Sequence, residues 1–150
     1  MNWTDRIVRR RILLSGIVTL GFATRTAVAQ RSGWGNLPKK AKIDTAGKGN
    51  FYSGLAGEEE VRRAYFNQPG GSRIELGFSG PQKFKLMLYA ELETQHSDRR
   101  LTMRLVGSDR GGARGYAEVK FNRDRNEIEA MMISGEVQGQ RFAGDFRRND

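Results

Sequence analysis

The chain has no cysteine, one histidine and three prolines among its 150 residues. Without cysteine there is no disulfide scaffold, no thiolate zinc site, no cysteine nucleophile and no lipoprotein or haem attachment. A single imidazole, His96, leaves no histidine cluster for a metal. No metal and no cofactor is therefore expected. Long apolar runs are missing too. The longest, Ile12 to Ala23, is interrupted by Gly16 and Gly21. It falls short of the roughly 20 residues that span a bilayer. The length allows one domain rather than two.

Positive charge is plentiful but unevenly placed. The formal net charge is +9, of which residues 1–29 carry +4 and residues 30–49 another +4. Residues 50–150 hold 16 basic against 15 acidic side chains, a net +1. A basic protein ordinarily points to nucleic acid or an anionic surface. Here the excess lies outside the segment that carries a core, so nucleic-acid binding by the domain is not expected.

The first 29 residues are laid out as an export signal. Arg6, Arg9, Arg10 and Arg11 precede the apolar run, and Ala27-Val28-Ala29 closes it with small residues. Cleavage is expected between Ala29 and Gln30. The string Arg9-Arg10-Arg11-Ile12-Leu13 resembles the twin-arginine export motif of bacteria, with the general secretory route as the alternative. That resemblance is confined to the N-terminus. It implies a mature protein outside the cytoplasm, periplasmic or extracellular, with no transmembrane span.

Residues 30–50 contain Pro38, several glycines and Lys39, Lys40, Lys42 and Lys48, with no apolar repeat. They read as a flexible basic linker ahead of a single β-domain over 51–150. Leu, Ile, Val and Phe make up 6 of the 43 residues from 30 to 72, but 17 of the 74 from 73 to 146. The denser stretch is where a core can form.

There the apolar residues recur at every second position. Ile74, Leu76 and Phe78 form one run. Phe84, Leu86, Leu88, Ala90, Leu92 and Thr94 form the next, and Leu101, Met103 and Leu105 a third. Ala117, Val119 and Phe121 follow, then Ile128, Ala130 and Met132, and finally Phe142 and Phe146. Alternate residues of a strand face opposite sides. The turns between runs are too short for parallel crossovers. The pattern predicts an all-β antiparallel meander of about seven or eight strands, as a small barrel or a two-sheet sandwich. Two places are irregular. Consecutive apolar residues at Met131-Met132-Ile133 predict a bulge or bend. Residues 57–66 fit a strand through Val61, Arg63 and Tyr65, or a short helix through Glu58/Arg62 and Glu59/Arg63 pairs.

Candidate chemistry is sparse. Glu91/Glu93 and Glu127/Glu129 each share a strand face, as acid–base pairs would. Folding about His96–Arg99 and Asn122–Asn126 instead sets them opposite Arg104, Arg100 and Lys120, as cross-strand ion pairs. His96-Ser97-Asp98 has the letters of a triad, but neighbours in sequence cannot converge as one. Gly107–Gly115 lacks phosphate-loop spacing and reads as a mobile hairpin loop. No catalytic residue is assigned. The wet face offers Tyr89, Arg104, Tyr116 and Lys120, an interleaving of aromatic and basic groups suited to binding. The expected role is non-catalytic binding or structure at the cell envelope, with polysaccharide, lipid or protein as partner classes. The alternatives are a carboxylate-dependent hydrolase acting on polysaccharide and a lipocalin-like carrier of a small apolar ligand.

Overall fold

A computed structural model describes residues 42–54 and 57–150. The segment read as an export signal, with Arg9, Arg10 and the Ala29/Gln30 junction, lies outside the described residues. Eight strands follow one another: β1 (Lys42–Ser53), β2 (Gly57–Gly70), β3 (Arg73–Ser79), β4 (Lys85–Ser97), β5 (Arg100–Ser108), β6 (Ala113–Phe121), β7 (Ile128–Val137) and β8 (Gln140–Arg148). Each pairs antiparallel with the next, and β8 returns to β1 from Gly47–Arg148 to Ser53–Phe142, closing a barrel. The choice between barrel and sandwich is thus settled as a barrel. There is no helix among the described residues, so 57–66 is strand.

The period-two residues point inward. Ile74, Leu76, Phe78, Leu88, Leu101, Met103, Val119, Phe121 and Phe146 are all buried. Phe66 meets Phe121 edge-on, with ring centroids 5.1 Å apart. An eight-stranded barrel has an interior just wide enough for side chains to fill, and these large residues fill it. The outward positions carry the charge. Ion pairs join Arg104 to Glu91, Arg100 to Glu118, Arg114 to Glu136 and Arg63 to Asp44. A membrane barrel turns an apolar band outward, which is the reverse arrangement.

Three expectations need correction. First, the linker proposed for residues 30–50 ends earlier. Strand β1 begins at Lys42, and Ile43, Thr45 and Gly47 face the core. This inward face is small because its neighbours are large or close. A side chain at Gly47 would collide with the Phe146 ring, and one at Gly49 with the Asp145 carbonyl. Residues 30–41 are outside the described residues. Second, the bulge lies just before Met131-Met132-Ile133 rather than within it. The β6–β7 register slips between Lys120 and Phe121, so Ile128, Met131 and Ile133 are buried while Met132 faces out. Buried Thr45 Oγ1 accepts the Ile128 N–H at 2.8 Å, satisfying a donor beside that slip. Third, the β4 alternation fades after Ala90. The pairing with β5 slips between Leu92 and Thr94, and Thr94 is exposed.

The turns use local chemistry. Gly70 and Gly71 both adopt positive φ, which lets β2 reverse into β3 in two residues. The connection after β5 is tight rather than a loose loop. Ser108 and Gly111 exchange backbone hydrogen bonds of 2.8 and 3.3 Å, and Asp109 N–H donates to the Met87 carbonyl at 3.1 Å.

Tyr65 acts as an external clip. From β2 its ring passes over Gly77 of β3, where any Cβ would strike the phenol. Its hydroxyl donates to the Leu86 carbonyl of β4 at 2.5 Å. Burial first, then the Asp109 and Glu75 carboxylates, push its ionisation well above the ordinary value of 10.0. A raised folded-state value adds stability that is complete below the unfolded value and drains as pH rises toward the folded one. We expect Tyr65→Phe to cost about 1 kcal/mol near neutral pH, the net worth of one hydrogen bond. We also expect its urea midpoint to fall less steeply than wild type above about pH 10. Parallel slopes would show that another group controls the alkaline transition.

Candidate functional site

Cross-strand pairing lines up one outward row across six strands. Tyr52 of β1 pairs with Ala143 of β8, Ala143 with Ser134 of β7, and Ser134 with Tyr116 of β6. Tyr116 then pairs with Arg104 of β5, and Arg104 with Glu91 of β4. A second row runs beside it through Asn50, Asp145, Met132, Glu118 and Thr102. Between the two tyrosines the residues are small, so the surface dips. The result is an outer groove of about 560 Å³.

The groove gathers most of the exposed large hydrophobic side chains among the described residues. Among the described residues four large hydrophobic side chains are exposed, and three line it: Tyr52 (60%), Tyr116 (53%) and Met132 (61%). Single exposed apolar residues are ordinary; here three stand together inside a polar rim, which makes the groove a candidate site. Three strand spacings of roughly 4.8 Å separate the tyrosines, about 14 Å along the sheet. The rim carries Asn50, Thr102, Glu58, Glu118 and Asp145. Glu118 receives a two-pronged contact from Arg100 at 2.9 and 3.0 Å. Glu58 and Asp145 have no ion-pair partner among the described residues.

No family model matches the chain, and neither a curated protein nor a solved structure does.

Of the four residues expected to bind, two come together and two do not. Arg104 and Tyr116 are direct cross-strand partners, and both border a second, adjoining depression of about 540 Å³. Tyr89 is half-buried on β4, and the Arg73 guanidinium covers its ring at 3.7 Å from the centroid. Its face is already occupied by a cation. Lys120 sits four residues along β6 from Tyr116 and is held by Glu129 at 2.5 Å.

Tyr52 and Met132 were not legible as site residues. Met132 falls in step with the inward residues until the bulge turns it out. Tyr52 stands beside inward Phe51, and nothing local says which residues β1 will meet across β8. The alternation itself was the available signal for Tyr52, since a neighbour of a buried residue must face out.

The carboxylates weighed for catalysis are dispersed. Glu91 is paired with Arg104 at 3.1 Å, Glu129 with Lys120, and Glu127 with Arg148 at 2.5 Å. Glu93 is exposed on β4. The hydrogen bond from Lys120 holds the Glu129 carboxyl below its ordinary range, the wrong direction for a general acid. His96 Nε2 shares a 2.8 Å hydrogen bond with Thr102 Oγ1 at an exposed position. Among the described residues no group of three His, Asp or Glu side chains could hold a metal ion.

Proposed function

We propose that this protein is an exported, non-catalytic binding protein of the cell envelope whose outer groove holds a saccharide chain. The observation that carries the reading is the pair of exposed tyrosines flanking a floor of Ala143 and Ser134 inside a carboxylate- and amide-bearing rim. Sugar rings offer C–H faces that stack on flat aromatic surfaces, and hydroxyls that donate to carboxylates and amide oxygens. The spacing of the tyrosines suits two to three linked rings. Other partner classes fit less well. The acidic rim repels phosphates, which disfavours nucleic acid and anionic lipid at this groove. Around this groove β1, β8, β7 and β6 are paired with one another, so no free strand edge borders it for a peptide to join. The layout of residues 1–29 supports export.

The test is a titration of the mature protein with neutral tri- to hexasaccharides, followed by tyrosine ring signals in NMR. Binding should perturb Tyr52 and Tyr116 and leave the saccharide uncleaved. Tyr52→Ala and Tyr116→Ala should each weaken it about tenfold, or roughly 1.4 kcal/mol. Unchanged affinity in both variants would refute the reading. A shortened saccharide would transfer the weight to the hydrolase alternative.

A further inference from the structure

A separate cavity lies at one mouth of the barrel, where the connections after β3, β5 and β7 meet. It measures about 230 Å³. Its floor is aromatic. Phe51 packs against Phe84 at 5.1 Å and against Phe142 at 6.0 Å, with Leu86 and Val137 beside them. Its rim is cationic, built from Lys83, Lys85 and Arg110, with Glu59 as the carboxylate among the described lining residues.

Six basic side chains of the barrel, Arg63, Arg100, Arg104, Arg114, Lys120 and Arg148, are neutralised by a carboxylate on another strand, and the three rim cations are not among them. Lys83, Lys85 and Arg110 reach none among the described residues. The mouth therefore keeps a local excess of two positive charges over an apolar floor. The backbone is also held in place there. Gln138 adopts φ of 50° as the first residue of the two-residue β7–β8 turn with Gly139, and Lys83 has φ of 60°, the left-handed region that non-glycine residues avoid. Such strain persists where surrounding structure imposes it, and it clusters at ligand clamps. Gln138 Nε2 donates to the Arg110 carbonyl at 2.6 Å, tying the β7–β8 turn to the β5–β6 turn.

We propose that this mouth binds a small soluble amphiphilic anion, with its apolar tail on Phe51, Phe84 and Phe142 and its acidic head among Lys83, Lys85 and Arg110. Barrel mouths are common ligand sites. An apolar cavity of about 150 Å³ suffices for benzene, so this one admits a short alkyl tail. The charge excess selects an anion over a neutral or cationic analogue. The site is independent of the outer groove and shares no side chain with it.

The experiment titrates the mature protein with octanoate, with 1-octanol and with vesicles containing phosphatidylglycerol. Calorimetry gives affinity, and NMR gives the location. Octanoate should bind one to one, perturb the rings of Phe51, Phe84 and Phe142, and bind at least tenfold tighter than octanol. Lys83→Gly is the informative variant. It removes a rim charge and relieves the left-handed strain, so it should leave melting temperature equal or higher while weakening octanoate at least fivefold. Arg110→Gln should weaken octanoate similarly, and Lys42→Gln at the far end of β1 should not. Equal affinity for octanol overturns the proposal, as does unchanged affinity in Lys83→Gly. Binding to vesicles alone also overturns it, because the rim is then a membrane-surface patch. Ring shifts at Tyr52 and Tyr116 instead would place the ligand in the outer groove.

Discussion

A chain that starts at Phe51 is expected to lose the cooperative fold, although the sequence alone places the domain boundary there. The cut removes the β1–β2 pairs from Lys42–Asn67 to Asn50–Glu60 and the β1–β8 pairs from Gly47–Arg148 to Asn50–Asp145. It exposes Phe146, which packs over Gly47, and strips Thr45 from the Ile128 N–H. It also frees strand edges on β2 and β8, and free edges invite association. The barrel has no disulfide to hold it together. A chain that starts at Lys42 should melt in a single cooperative transition, whereas the Phe51 start should show none and should associate. Far-UV circular dichroism on heating and sedimentation velocity read both outcomes. A cooperative melt from the shorter chain would mean that the N-terminal half of β1 is dispensable.

The second large effect separates an inward residue from one that only looks inward. Phe66 is fully buried and meets Phe121 edge-on. Phe66→Ala should cost about 3–5 kcal/mol, through lost transfer free energy and the cavity left behind. Domains of this kind have about 5–15 kcal/mol in all. The melting temperature should fall by roughly 12 °C or more. Met132 is apolar, lies in phase with Ile128 and Ala130, and reads as core from sequence. It is instead exposed in the outer groove. Met132→Ala should therefore stay within about 0.5 kcal/mol of wild type. A core-sized loss from Met132→Ala would place the β7 bulge elsewhere.

The candidate sites were partly visible in the residues. Tyr116 and Arg104 each stand opposite an inward neighbour, so their outward aim could be read directly. Their meeting required the β5–β6 register, which pairs them directly. Tyr52 comes from β1 and reaches the groove because β8 closes the barrel onto that strand. Tyr89 had the right letter and the right face, yet Arg73 from β3 covers its ring. The mouth was not legible at all. Phe51, Phe84 and Phe142 are far apart in sequence and converge because alternate connections emerge at the same end of an up-and-down barrel.

The residues by themselves determined the all-β class, the antiparallel order and most of the inward set from Ile74 to Phe146. The physical cause is local: a strand's side chains alternate with period two, and turn residues stop each run. Even the ion pairs of Glu91 with Arg104 and Lys120 with Glu129 follow from folding neighbouring strands about their turns. Closure was decided elsewhere. Between Ile43 and Phe51, strand β1 turns only Thr45, Gly47 and Gly49 inward, because Phe146 and the β8 backbone occupy the space larger side chains would need. That demand comes from a strand nearly a hundred residues away in sequence, so no local pattern reports it. The bulge before Met131 is similar. Its cost is met by Thr45 across the barrel, and its effect is to turn Met132 outward into the groove between two tyrosines.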